Sequence, residues 1–119
     1  MSEAQSVDGP RQTARDLTAF QQNILTILSK DPMYGLAVKR ELEEYYDEEV
    51  NHGRLYPNLD DLVDLGLVEK SQLDKRTNQY ELTDAGIDAL VDQFEWQLSK
   101  FVTGDDRADE IRALVDAEL

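Results

Sequence analysis

GRLYPNLDDLVDLGLVEK at residues 53–70, followed by QYELTDAG at 79–86, decides how this chain is read. Leu55, Leu59, Leu62 and Val63 recur at helical spacing, so one side of Gly53 to Leu65 faces a core while Arg54, Asn58 and Asp61 share the opposite side. Gly66 stops that helix. Leu67 to Leu73 and Gln79 to Leu82 are short strand-like runs flanking the polar turn DKRTN, whose five residues suit an extended hairpin tip. A helix, a hairpin and a further helix opening at Thr83 follow one another in winged-helix order.

Working outward, Thr18 and Gln21 have the spacing of a capping box ahead of Phe20, Ile24, Ile27 and Leu28, an amphipathic run that Asp31-Pro32 breaks. Val38, Leu42, Tyr45 and Tyr46 form the expected buried stripe of the next helix, whose other faces carry Lys39, Arg40 and several acids. Two helices joined by a polar turn, ahead of a third that carries Arg54, make a helix-turn-helix. The expected fold is mainly α with a small β-hairpin: five helices, divided into a flexible arm at 1–16, a winged helix-turn-helix at 17–83 and C-terminal helices at 84–119.

Pro57 constrains where the third helix starts. In a helix interior proline deletes a backbone hydrogen bond and clashes with the carbonyl four residues back, at about 3 kcal/mol or more, so it belongs in a first turn or marks a kink. The residues alone therefore start this helix near Tyr56.

After Thr83, residues Ile87, Leu90, Val91, Phe94, Leu98 and Phe101 fall on one stripe, whereas Trp96 points nearly opposite, beside Ala85 and Ala89. A helix with two apolar sides needs two contacts, one to its own core and one to something else. Gly104 is expected to end it. Ala108, Ile111, Leu114, Val115 and Leu119 then give a last amphipathic helix that also needs a surface to cover. Phe94, Trp96, Leu98, Phe101, Ile111, Leu114 and Val115 are accordingly the candidate dimer contacts; the alternative is that the last helix folds back over Trp96 within one chain.

Lys and Arg number 12 against 26 Asp and Glu, for a net charge of -14. Nucleic-acid binding usually shows as a basic domain, but distribution matters more than the sum. Val50 to Leu59 contains no acid and carries Arg54; Lys75 to Tyr80 contains none and carries Lys75 and Arg76. Acid collects elsewhere, at Glu41 to Glu49 and beyond Asp84. High internal salt accounts for such a surface, because at ~1 M salt the Debye length is about 3 Å and self-repulsion becomes tolerable. Potassium ions are then expected at the acidic surface and at any interface with DNA.

Tyr34-Gly35, then Leu55-Tyr56-Pro57-Asn58-Leu59-Asp60-Asp61-Leu62, Gly66-Leu67, and Tyr80-Glu81-Leu82-Thr83-Asp84-Ala85-Gly86 stand in the order and at the intervals of the PadR-like transcriptional regulators, which the chain resembles over roughly residues 18 to 90. The acidic composition resembles the versions found in salt-accumulating archaea. The resemblance implies a third helix starting earlier, near Asn51 or His52, and pairing through the C-terminal helices. It also implies a small-molecule effector as a partner to be looked for, since some PadR-like proteins bind aromatic compounds between those helices and Trp96 is suitably placed.

With one histidine and no cysteine there is no nucleophile–base pair, no disulfide and no thiolate metal site, so neither a cofactor nor an enzymatic activity is expected. No apolar run approaches the ~20 residues needed to span a bilayer, so no membrane partner is expected and the chain should be cytoplasmic, at the nucleoid. Two function classes remain. The first is a homodimeric regulator of double-stranded DNA. There Arg54 reads guanine and Asn58 adenine from the major groove, Asn51 and His52 meet phosphate, and Lys75, Arg76, Thr77 and Asn78 hold backbone or minor groove, with Lys39 and Arg40 flanking. Tyr56 either presents its hydroxyl to the backbone or packs its ring on the next helix. The second class is a winged helix that binds protein; a partner-binding wing should expose apolar residues, and DKRTN has none.

Overall fold

The computed structural model describes residues 15–72, 74 and 77–119. Of the N-terminal arm only Arg15 and Asp16 fall within that set, and both are helical. Eight elements follow: α1 (Ala19–Leu28), β1 (Met33–Tyr34), α2 (Gly35–Tyr46), α3 (His52–Asp64), β2 (Val68–Gln72), β3 (Asn78–Leu82), α4 (Asp84–Phe101) and α5 (Asp105–Glu118). The Thr18–Gln21 capping box is present in both directions, each bond 3.1 Å long. It starts α1 in register to bury Phe20, Ile24, Leu25 and Leu28.

On α2, Val38 and Leu42 are buried as expected, and Tyr46 is half-buried, stacked on Phe20 with its hydroxyl accepting from Asn23 Nδ2 at 2.8 Å. Tyr45 departs from the expected stripe. It is 71% exposed, because α2 runs out at Tyr46 and Asp47 turns away in the left-handed conformation with φ 55°. Glu43 holds the following turn, accepting from the Val50 backbone N–H at 2.9 Å and from Lys39 Nζ at 2.8 Å. The lysine first, and the amide after it, hold its carboxyl below the usual carboxylate range.

The third helix begins where the family resemblance puts it. Asn51 is its cap, with Oδ1 accepting from the Gly53 N–H at 2.6 Å, so Pro57 lies in the second turn rather than the first. Leu55, Leu59 and Leu62 fill the core, and Gly66, with φ 79°, ends the run.

The hairpin is one strand wider than expected. β1 joins it in the order β1-β3-β2, all antiparallel, with Met33 opposite Tyr80 and Lys70 opposite Tyr80 from the other side. Two residues cannot show a period-two pattern, which is why Met33-Tyr34 read only as the approach to a helix. β2 ends at Gln72, since Leu73 lies outside the described residues, and β3 begins one residue before the expected Gln79.

Of the two apolar sides of α4, the one that carries Ala85 and Ala89 meets the domain, joined from the long stripe by Leu90. Gly86, Ala89 and Leu90 are its buried residues, while Ile87, Val91, Phe94, Leu98 and Phe101 are exposed. The close approach is made at Gly86, where a Cβ would run into the Leu67 carbonyl oxygen. Thr83 secures the same joint: its hydroxyl donates to the Gly66 carbonyl at 2.7 Å and accepts from the Gly86 N–H at 3.0 Å. α4 stops at Phe101, capped by Val102, and Gly104 starts the next helix rather than ending this one. α5 buries none of its residues.

The radius of gyration is 16.2 Å, against about 13 Å for a compact chain of this size. Alanine in a helix interior normally gains about 1 kcal/mol over glycine. At Gly86 the sign should reverse, because the atom in the way is backbone: Gly86→Ala is expected to lower stability by about 1 to 3 kcal/mol in urea unfolding, whereas alanine at an exposed α4 position should change it little.

Candidate nucleic-acid interface

The start of α3 is open to solvent: Asn51, His52, Gly53 and Arg54 are all exposed. Proline at 57 has no N–H to give the Gly53 carbonyl, and the Gly53 and Arg54 N–H groups of this exposed turn are bonded to Asn51. His52 lies tilted against Tyr56, ring centroids 5.5 Å apart.

Arg54 was expected simply to face outward. It is exposed, but its guanidinium lies 3.9 Å over the ring centroid of Phe20 on α1, a cation–π contact. Asn58 is engaged within the chain on both ends of its amide, donating to the Arg54 carbonyl at 2.7 Å and accepting from Gln21 Nε2 at 3.0 Å. Reading adenine from Asn58 requires both bonds to open. Lys39 is likewise taken up by Glu43, and Arg40, one position further along α2, is exposed.

On the wing, Thr77 and Asn78 are half-buried, and Lys75 and Arg76 lie outside the described residues. Thr77 and Asn78 join Tyr34, Gly35, Leu36, Tyr56 and Tyr80 around a notch of about 440 Å³ between the wing and the starts of α2 and α3. Tyr56 is half-buried there, against Gly35 of the preceding helix rather than a following one. A Cβ on Gly35 would come within 2.8 Å of the Tyr56 hydroxyl oxygen, so the glycine makes room for the ring. Burial, and after it the charge of Asp60, raises the Tyr80 hydroxyl above the usual tyrosine range, with a hydrogen bond to Asn78 acting the other way.

Three residues of this surface escaped the sequence reading. Tyr34 and Leu36 are 47% and 46% exposed at the notch; the signal for Leu36 was that it sits off the Val38–Leu42 stripe. Gln21 showed only its capping role, yet the same side chain caps α1 with its oxygen and fixes Asn58 with its nitrogen.

At the other end of the molecule, Phe94, Leu98, Phe101, Ile111, Leu114 and Val115 come together, with Gln97, around an open apolar cleft of about 700 Å³ between α4 and α5. Trp96 is not among them. It is 59% exposed on the far side of α4, where Arg15, Gln22, Asp92 and Gln93 line a hollow of about 340 Å³ with it. The last helix therefore does not fold back over the tryptophan. Among the described residues no group of His, Asp and Glu is placed to hold a metal ion, and no helix is long and apolar enough to cross a membrane.

A helix-turn-helix with a three-stranded wing and an exposed, acid-free helix start defines a winged-helix DNA-binding protein. The chain belongs to the PadR-like family of transcriptional regulators, whose family model matches residues 24–92. It is similar to RosR as seen in the hsRosR-S4 complex, at 66% identity over 92% of this chain and 95% of that one, with a TM-score of 0.90. RosR of H. salinarum grown from NaBr is 68% identical over 88% of this chain and 96% of that chain, with a TM-score of 0.86. PadR of Bacillus subtilis in complex with operator DNA shares the fold, with a TM-score of 0.55 at 24% identity over 66% of this chain and 46% of that one. No curated protein matches. The chain is thus a DNA-binding transcription regulator. Because Asn58 ties α3 to α1, Asn58→Ala should cost about 1 kcal/mol of stability, measurable as a shift in the urea midpoint whether or not DNA is present.

Proposed function

We propose that the protein works as a homodimer on double-stranded DNA, with the start of α3 in the major groove and the wing on the backbone or minor groove. The observation that carries this is the exposed turn Asn51 to Arg54. In a chain of net charge -14 it is free of carboxylates, and the hairpin sequence carries two adjacent cations, Lys75 and Arg76. Arg54 is the base reader, and it must leave the Phe20 ring to reach a guanine edge. Asn51 and His52 meet phosphate, as do Thr77 and Asn78 with Lys75 and Arg76. Asp60, Asp61 and Asp64 line the later turns of the helix, so its N-terminal end does the reading.

The α4–α5 cleft supports the pairing. Isolated, it leaves six large apolar side chains around open space, more than a stable monomer normally presents in one place. A second copy offering the same surface covers both. Trp96 stands outside the cleft and is available to a small-molecule effector instead. We place the protein in the cytoplasm, at the nucleoid.

Binding to the region upstream of its own gene, measured across molar potassium chloride, tests this reading. Ordinary phosphate neutralisation gives a slope of about -0.9 per phosphate on log axes. Here the acidic surface must retain or take up potassium as it nears the duplex, so the slope should be close to zero or positive, and Glu48→Gln with Glu49→Gln should move it toward negative values. In the same assay Arg54→Ala should lose about 1 to 3 kcal/mol of specific binding and relax one base preference per half-site. A wild-type protein that prefers no sequence at any salt concentration would refute the regulator reading.

Dimerisation is tested by sedimentation. Leu98→Asp, which places a charge in the cleft, should shift the protein toward monomer, because a buried apolar anchor typically carries about 2 kcal/mol or more. Trp96→Ala should leave the dimer intact.

A further inference from the structure

Resting on the regulator reading, the notch between wing and helices points to how the protein grips DNA when charge is screened. Three stretches without a carboxylate meet there. Val50 to Leu59 supplies Tyr56 and Lys75 to Tyr80 supplies Thr77, Asn78 and Tyr80; the third, Pro32 to Arg40, supplies Tyr34, Gly35 and Leu36. This third run becomes meaningful only once β1 pairs with β3 and brings Tyr34 opposite Gln79. The nearest acid on α3, Asp60, is paired with Lys70 at 3.4 Å.

None of the described residues lining the notch carries a charge. Tyr34 and Leu36 are about half exposed at its rim, Tyr56 is held over Gly35, and Tyr80 closes the floor. A surface of hydroxyls and apolar edges, kept free of carboxylates in so acidic a chain, suits a partner that is itself anionic and partly apolar. A strand contacting both the exposed start of α3 and the wing must pass between them, across this notch.

We propose that the notch is an uncharged seat for one phosphodiester of duplex DNA. The hydroxyls of Tyr34 and Tyr56 donate to its non-bridging oxygens, while Leu36 and the tyrosine ring edges cover the adjoining deoxyribose. At ~1 M salt a Debye length of about 3 Å leaves little of a lysine–phosphate attraction beyond contact. A neutral donor has no such field to lose. It displaces no condensed cation either, so the contact adds affinity without steepening the salt dependence. The seat positions the duplex and carries no base information.

Tyr34→Phe and Tyr56→Phe each remove one oxygen and keep the ring, so the fold is retained. Binding is measured for the upstream duplex and for an unrelated duplex, at several potassium chloride concentrations in the molar range. Each variant should weaken both duplexes alike by about 10- to 150-fold, the range of a single hydrogen bond to a charged acceptor, with the salt slope of the wild type. A scan of single methylphosphonate linkages should find one position per half-site whose replacement weakens the wild type but weakens the Tyr34→Phe/Tyr56→Phe double variant much less. Full-strength binding by both phenylalanine variants, alongside sequence-specific binding by the wild type, would overturn the seat and leave the regulator reading standing. A loss confined to one duplex, or a slope changed by about one phosphate, about 0.9, would overturn it as well. Failure of the wild type to bind either duplex would end both.

Discussion

The arrangement of this molecule depends on the contact between Gly86 and the backbone of Leu67. Only a residue without a side chain lets α4 lie against that carbonyl, and Thr83 fixes the approach by bonding to both sides of it. Gly66 and Leu67 are where the recognition helix ends and β2 begins; Thr83 and Gly86 are where β3 ends and α4 begins. A single joint thus fastens the end of α3, the base of the wing and the helix that carries the apolar cleft. The Thr-x-x-Gly signature after the wing is the chemical form of that joint. Its hydroxyl both donates and accepts, so Gly86, the third residue of the helix, has a capped amide as well as room.

From this joint the two ends of the chain have opposite characters. Toward the wing, side chains are committed: Asn58 to Gln21 and Arg54, Lys39 to Glu43, Asn51 to Gly53, Tyr56 to the space over Gly35. Toward the C-terminus they are uncommitted, with α5 burying nothing and the outer stripe of α4 left exposed. The first end has the rigidity that a reading surface needs. The second has the unsatisfied apolar area that assembly consumes.

Much of this was legible in the sequence. The leucine spacing of 55, 59 and 62, the Thr18–Gln21 box and the turn at Gly66 are local signals, and each element followed from them. The start of α3 was not legible from the residues, because Pro57 argues for a later start and the capping role of Asn51 is too short a signal to outweigh it; the family intervals decided correctly. β1 was missed because a two-residue strand exists only through its partner. Which of the two apolar sides of α4 packs inward was not legible, for a different reason. Hydrophobicity pointed to the leucine and phenylalanine stripe, but packing against backbone selects small residues, so Gly86 and Ala89 won over larger neighbours. The candidate site was legible in its exposed helix start and in two of its acid-free runs, and hidden in Tyr34 and Leu36, whose place at the rim depends on β1.

Arg54 shows why composition alone says little about readout in such a protein. Stacked over Phe20, its charge is held near an aromatic face, a contact of about 0.5 to 1 kcal/mol at an exposed site. That energy must be given up before the guanidinium can enter a groove. The stack also has a return: it restrains a long side chain on the correct side of α3, so fewer rotamers are lost on binding. Salt tips the balance further. Screening weakens the pull of distant phosphates on the guanidinium but leaves the ring contact, made at 3.9 Å, largely untouched. On the reading proposed above, in which Arg54 is the base reader, the arginine stays on the ring over nonspecific duplex and leaves it where a guanine edge offers two hydrogen bonds in return. Discrimination then comes from a contact inside the protein as much as from the groove it reads.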